Sequence, residues 1–311
     1  MKSFYQKCFL ITLIIVAFTT ISFAQIFDKS RGKNLQKLIA EPVTVYTSSP
    51  GAYTDRLKAA FKDYWKVTPY NFVNIDDASK EVKGSPVFMP IVVSLIIRGN
   101  NSGISYPFYV YGEANGSGNV DGEAIVAAFP INSYLYEFDA KADDIYAGSI
   151  LRLPYIVYNL NDMVNWLKTN GNEKGYEKYI EDKSPRLAGK TLLIPAELTK
   201  EWDINPNSTA LFKGNLAAAK KSMRAQMITF LEESSISFGG KYKVMPTAEI
   251  MKLEQSADAN KYALFLPALD QKRYMIAYDL KTKELLYFEY ANMGFKIKDK
   301  DFDKMNKAAG F

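Results

Sequence analysis

Apolar residues along this chain recur in two rhythms, and the switches between them mark out its elements. Val43–Thr47 is a short run of strand length. Ser49-Pro50 follows it and offers an N-cap with proline at the first helical position. Tyr53, Leu57, Phe61, Tyr64 and Trp65 then fall at helical spacing, so a helix over 53–65 turns one stripe toward a core. A short strand near Val67 ends at Pro69, and Asp76 or Asp77 opens a second, brief helix. Val87–Arg98 reads as a strand, Asn100–Gly103 as a turn and Tyr106–Tyr111 as the return strand. The order is β-α-β-α-β-β.

The C-terminal half repeats it. Thr191–Pro195 is a strand, and Asn215 caps a helix with Leu216, Met223, Met227, Phe230 and Leu231 on one face. A strand at Tyr242–Met245, a helix from Thr247 and a strand at Tyr262–Leu266 follow. Arg273–Asp279 and Leu285–Tyr290 form a hairpin turned by Lys281–Lys283, and a last helix opens at Asp299 or Asp301 with Phe302 and Met305 inward. Lys66-Val67-Thr68-Pro69 matches Lys243-Val244-Met245-Pro246, and Phe88-Met89-Pro90 matches Phe265-Leu266-Pro267 at the same spacing. An internal duplication would lay Pro69 over Pro246 and Pro90 over Pro267; the alternative is coincidence between similar segments. Between the halves, Gly112–Gly122 reads as a loop, 124–129 and 151–160 fit strand or helix, and 161–169 is helical. The expected fold is α+β: two tandem mixed α/β units at 25–123 and 187–311, joined by a connecting segment at 124–186, with helices on one face of each sheet.

Residues 1–24 carry a different pattern. Lys2 and Lys7 precede an apolar run, Phe9–Phe18, broken only by Thr12, and Ser22 and Ala24 place small residues at a cleavage site. A span would need roughly 18 apolar residues in a row, more than this run supplies. The expectation is a cleaved signal peptide, a mature chain from Gln25, and a periplasmic or secreted protein with no transmembrane segment after cleavage. Cys8 lies before the apolar run, so it is not the anchor of a lipoprotein.

Composition narrows the chemistry. The net charge is +5, and loss of Lys2 and Lys7 leaves 5 − 2 = +3, with both signs interspersed. That argues against nucleic acid, which calls for a concentrated basic face. The chain has no histidine, and Cys8 is its only cysteine. Ser-His-Asp and Cys-His catalysis are therefore closed to it, as are the usual zinc, copper and haem sites. No cofactor or metal site is expected, and stability must come from burial of an apolar fraction of 48%.

Local motifs add little. Ser184–Thr191 nears a phosphate-binding loop, but a strand follows it where a helix is required. Gly116–Gly122 misses the dinucleotide fingerprint at Asp121; as a calcium loop it offers Ser117, Asn119 and Asp121 but has Ala128 where an acid belongs. Ser30 and Lys33 have the spacing of a lysine-activated nucleophile, in a polar segment with no evident core. Two acidic clusters, Glu113/Asp121/Glu123 and Glu197/Glu201/Asp203, keep a carboxylate-dependent, glycoside-type hydrolase as the alternative function. The informative feature is the aromatic hairpins. Tyr109 and Tyr111 share one face of the first, and Tyr278 and Tyr290 lie on the two strands of the second. Tyrosine suits an apolar face with a wet edge. These four are the candidate contacts for an envelope protein, peptide or glycan, with packing between the units as the competing reading. The expected function is non-enzymatic binding through a sheet or inter-unit surface.

Overall fold

The structure, a computed structural model, describes residues 32–47, 51–74, 83–97, 100–115, 120–130, 142–172, 174–202, 228–229, 231–269, 272–292 and 296–311. Residues 1–24, Ser30, Asp76, Asp77, Ser117, Asn119, Asp203 and most of the helix expected from Asn215 lie outside these residues; the end of that helix is overturned, because Ile228–Thr229 is a strand and Leu231 makes a parallel bridge with Ile297.

Helix α1 (Gly32–Leu38) leads into β1 (Val43–Thr47), α2 (Ala52–Tyr64), β2 (Tyr70–Asn74), β3 (Pro86–Ile97), β4 (Asn100–Ala114) and β5 (Val120–Pro130). The long α3 (Ala142–Asn170) and short α4 (Tyr176–Glu181) connect to the second unit. That unit holds β6 (Thr191–Pro195), β7 (Glu201–Trp202), β8 (Ile228–Thr229), β9 (Tyr242–Met245), α5 (Thr247–Glu254), β10 (Tyr262–Phe265), β11 (Ala268–Leu269), β12 (Lys272–Asp279), β13 (Leu285–Asn292) and α6 (Asp299–Ala309).

The fold is α+β with two similar units. The first sheet runs β2-β1-β3-β4-β5, and the second runs β9-β6-β10-β12-β13 with β11 added on β12. In both, three parallel strands are followed by two antiparallel ones. Register identifies the equivalent residues. Val45 pairs with Phe88 and Phe88 with Tyr111; Leu193 pairs with Leu264 and Leu264 with Tyr278. Tyr109 opposes Phe129 as Ile276 opposes Phe288.

Those pairs correct the alignment through the prolines. Pro69 precedes β2 whereas Pro246 follows β9, and Pro90 lies inside β3 whereas Pro267 lies beyond β10. Phe88 corresponds to Leu264, one residue away from Phe265. A one-residue slip turns a strand over: Phe88 and Leu264 face one shared core, while Phe265 faces the opposite side of its sheet. The likeness of the two units lies in strand order, not in the matched prolines.

Other boundaries shift for local reasons. The α2 helix starts at Ala52 after Gly51, so Pro50 is not its first helical residue. The strand expected near Val67 begins after Pro69, and Asn100–Gly103 belong to β4. The first sheet takes 120–130 as a fifth strand across a bulge at Gly112, where a Cβ would come within 2.6 Å of the Ala124 carbonyl oxygen. Pro154 does not interrupt α3. From Ile150 to Val157 every residue of that helix is buried, and such all-round packing outweighs the one missing amide donor.

Both sheets turn a face toward one core, in which α1, α2, α3, α4 and α5 also bury side chains. A second core, under Phe302 and Met305 of α6, covers the other face of the second sheet. A third, smaller cluster around Tyr46, Met89 and Val110 lies on the other face of the first. Two polar side chains of α3 tie the units. Arg152 donates to the carbonyls of Leu266 at 3.1 Å and Pro267 at 2.5 Å. Asn159 donates to the Lys283 carbonyl at 3.0 Å and accepts from the Leu285 amide at 3.1 Å.

Candidate binding groove

The hairpin turn between β12 and β13 is the electrostatic hub of the molecule. Lys283 has a left-handed backbone (φ 69°) and is 3% exposed. Its ammonium lies 2.7 Å from Glu254 of α5, which also binds Arg56 of α2, and 4.9 Å from the Tyr155 ring. Burial pulls the Lys283 ammonium below its ordinary range against the pull of Glu254, and it pushes the Tyr155 phenol well up. On the other side of the turn, Arg186 bridges Glu284 (2.8 Å) and Asp279 (3.2 Å), and Lys190 reaches Asp279 at 2.9 Å. Burial would raise the Asp279 carboxyl, but the Thr282 and Lys281 amides and Lys190 together hold it below the usual carboxylate range. Asp162 behaves oppositely. Burial raises it despite Lys183 and the hydroxyls of Tyr176 and Tyr179, each 3.2 Å away. These charges are matched internally and fasten helices to the turn.

An open site lies beside that hub. The last strand, β13, pairs with β12 on one side, and among the described residues no strand pairs with its other side. A groove of 640 Å³ runs along that outer edge over Tyr287–Tyr290. Helix α4 forms one wall with Glu177, Ile180 and Glu181, and α6 forms the other with Lys304, Lys307 and Ala308. Ser184 closes one end, its hydroxyl donating to the Leu286 carbonyl at 2.8 Å.

The walls are well anchored. Tyr176 and Ile180 of α4 are buried, and Tyr176 meets Trp166 of α3 edge-on while Tyr179 packs against it at a tilt. That packing leaves Glu177 and Glu181 on the outer side, both exposed. Helix α6 buries Phe302, Met305 and Ala309 at i, i+3 and i+7, which leaves Lys304 and Lys307 at the groove. The floor alternates as a strand must. Phe288 and Tyr290 belong with the shared core on the α4 side. Tyr287 belongs with the α6 core, and Glu289 holds Lys304 at 2.5 Å.

The four candidate tyrosines separate. Tyr109, Tyr111 and Tyr278 are buried at 3%, 0% and 1% exposure. Tyr111 packs on Trp65, Tyr109 on Phe88, and Tyr278 on Tyr155 and Phe129. That is the packing role, and it leaves them no surface for a ligand. Tyr290 is half-buried and lines the groove. The groove's other side chains come from three separate segments, and sequence reasoning missed them.

Two candidate carboxylates serve the scaffold. Glu197 accepts from the Thr247 amide at 3.1 Å and the Thr247 hydroxyl at 2.8 Å at the start of α5, and Glu113 pairs with Lys37. Asp121 and Glu123 stand in β5 and Glu201 in β7, so these three are in strands and not in the loops expected of them. The segment Ser184–Thr191 leads into β6, which confirms the strand that argued against a phosphate loop. Among the described residues no group of His, Cys, Asp and Glu could hold a metal ion, and no helix is long and apolar enough to cross a membrane. No family model, curated protein or solved structure matches the chain.

Proposed function

We propose that this chain is an exported, non-enzymatic protein that binds an envelope partner, and that the β13 groove is where it does so. The observation that carries the reading is Tyr290: an aromatic residue expected at a binding surface lines an open groove, while its three fellow candidates are interior. Export rests on the Lys2–Ala24 leader pattern, and the non-enzymatic reading on a chain without histidine whose carboxylates Glu113 and Glu197 already serve structural contacts. The groove has the size of an ordinary ligand site, and anchored walls give it the preorganisation that binding needs.

Capture by the tagged mature protein from its native envelope, read by mass spectrometry, tests this. A specific partner should be retained by the wild type, lost by Lys307→Glu at unchanged melting temperature, and lost by Tyr290→Ala under conditions where that variant is still folded. Retention by both variants would move the site elsewhere. Turnover of a polysaccharide abolished by Glu177→Gln or Glu289→Gln would instead support the carboxylate hydrolase.

A further inference from the structure

One side chain of the groove carries a polar atom that nothing in the fold answers. Tyr287 lines the groove, is 5% exposed, and its hydroxyl is buried without a hydrogen-bond partner. Of the tyrosine hydroxyls that lack a partner, only this one belongs to the groove. Burial, with the charges of Glu289 and Asp301, pushes its phenol far above the ordinary range, so the group stays a protonated donor. An unbonded buried hydroxyl weakens the fold that holds it, and sites of function are where such a group is tolerated.

The neighbouring charges say what would complete it. On the α6 wall, Lys307 is exposed and makes no ion pair among the described residues. The two carboxylates whose charge Tyr287 feels are already answered, Glu289 by Lys304 at 2.5 Å and Asp301 by the Lys298 amide at 2.9 Å. An ammonium and an O–H donor are thus left together, a pairing that suits a carboxylate. On the α4 wall, Glu181 is exposed and also makes no ion pair among the described residues; it can only accept, which suits an ammonium. The two walls pack on opposite faces of the sheet, so a ligand that meets both crosses the edge of β13. Building on the binding role proposed above, we infer that the groove holds a short peptide with free ends, its terminal carboxylate on Lys307 and the Tyr287 hydroxyl and its terminal ammonium on Glu181. A volume of 640 Å³ is that of a small-ligand site and holds a few residues. A single amino acid is too short, because its two charges share one carbon atom. The half-buried ring of Tyr290 underlies the middle of the peptide.

Equilibrium dialysis of the mature chain against a library of unmodified tripeptides, read by mass spectrometry, tests the inference. The best-retained tripeptide is then titrated free, amidated at its C-terminus and acetylated at its N-terminus. Each block should weaken binding about tenfold, the scale of one charge-assisted hydrogen bond. Lys307→Gln should weaken the free peptide as much and lose its sensitivity to amidation; Glu181→Gln should lose its sensitivity to acetylation. Tyr287→Phe should weaken binding about fivefold while the melting temperature of the unliganded chain holds or rises. That split separates a ligand contact from a structural one. Equal affinity for free and blocked peptides would overturn the inference, as would Tyr287→Phe with full affinity or with a lowered melting temperature. Retention of no tripeptide would overturn it too. If none is retained while envelope capture still depends on Lys307, the binding role stands and only this occupant is wrong.

Discussion

The two sheets end differently although their strands come in the same order. The first ends in β5, where every residue from Ile125 to Pro130 is buried and α3 packs alongside. Phe129 there touches Phe288, its counterpart by register, with ring centroids 6.2 Å apart. The second ends in β13, where Tyr287 and Phe288 are buried but Glu289 and Tyr290 are only half-buried, between walls of opposite charge. One terminal strand completes the core and the other faces a groove. Strand order alone therefore says nothing about which edge is used; the helices packed beside it do. An apolar helix such as α3 buries the terminal strand it packs on, and two short amphipathic ones leave a groove beside theirs.

The largest expected effect comes from breaking the link that makes the two sheets one body. Glu254 sits between Arg56 of the first unit and the Lys283 turn of the second, with 4% of its side chain exposed. Glu254→Ala leaves a buried lysine unpaired and should cost about 3–5 kcal/mol. Urea unfolding followed by Trp65 and Trp166 fluorescence should show the loss in a single transition. Glu254→Leu combined with Lys283→Met should recover much of it, because Arg56 keeps 21% of its side chain exposed and can turn to water. A loss below 1 kcal/mol, or two separated transitions, would mean that the units fold independently.

Smaller effects should follow pH, since the charges around the β13 turn have no counterpart among the described contacts of β5. Asp279 has a folded pKa below its unfolded value of 3.8. Its stabilisation is therefore complete above that value and is lost as pH falls through the folded pKa. Asp279→Asn should cost about 1.5–3 kcal/mol at neutral pH, the usual range for hydrogen bonds to a charged group, and should flatten the acid limb of a stability–pH curve. Asp162, raised by burial, has the opposite sign. Its folded form binds a proton more readily than its unfolded form, so Asp162→Asn should steepen the acid limb. Acid limbs that coincide for wild type and both variants would show that neither carboxylate governs acid unfolding.

Much of the scaffold was legible because its signals are local. Period-two runs bounded by turn residues marked β6, β9, β10, β12 and β13, and the turn at Lys281–Lys283 falls where expected. The stripe of Leu57 and Phe61 marked α2. The continuity of α3 was hidden because 151–160 is an apolar run that fits strand or helix alike, and only its burial on all sides settles it as helix. The fifth strand of the first sheet was hidden because Gly112, which serves a bulge, reads from composition as the start of a loop. The groove was nearly illegible. Its walls come from 177–181 and 304–308, and exposed Glu and Lys on a helix look the same whether they face bulk water or a binding site. Only Tyr290 carried a signal, because a tyrosine near the end of an apolar hairpin is a wet-edged position.

The smallest expected effect is the finest test of what distinguishes the two hairpins, since it alters one oxygen atom. Tyr111 and Tyr278 occupy corresponding places, opposite Phe88 and Leu264. Both are interior, so both lie on the packing side of the division that leaves Tyr290 at the groove. Their hydroxyls differ, however. That of Tyr111 is buried without a hydrogen-bond partner, whereas Tyr278 lies in the field of Arg152, a fully buried guanidinium whose described hydrogen bonds go only to backbone carbonyls. An unsatisfied buried hydroxyl carries a desolvation penalty of about 1–3 kcal/mol, part of which the folded chain recovers once the group is removed. Tyr111→Phe should therefore be neutral or stabilising by up to about 1 kcal/mol. Tyr278→Phe takes a polar neighbour from a buried cation and should destabilise by a similar amount. Thermal melts of the two variants, run side by side with envelope capture, would read both consequences. Capture should be unchanged in each. Loss of capture in Tyr111→Phe at full stability would mean that the first hairpin opens to admit a ligand and that the division between a packing hairpin and a binding one is false.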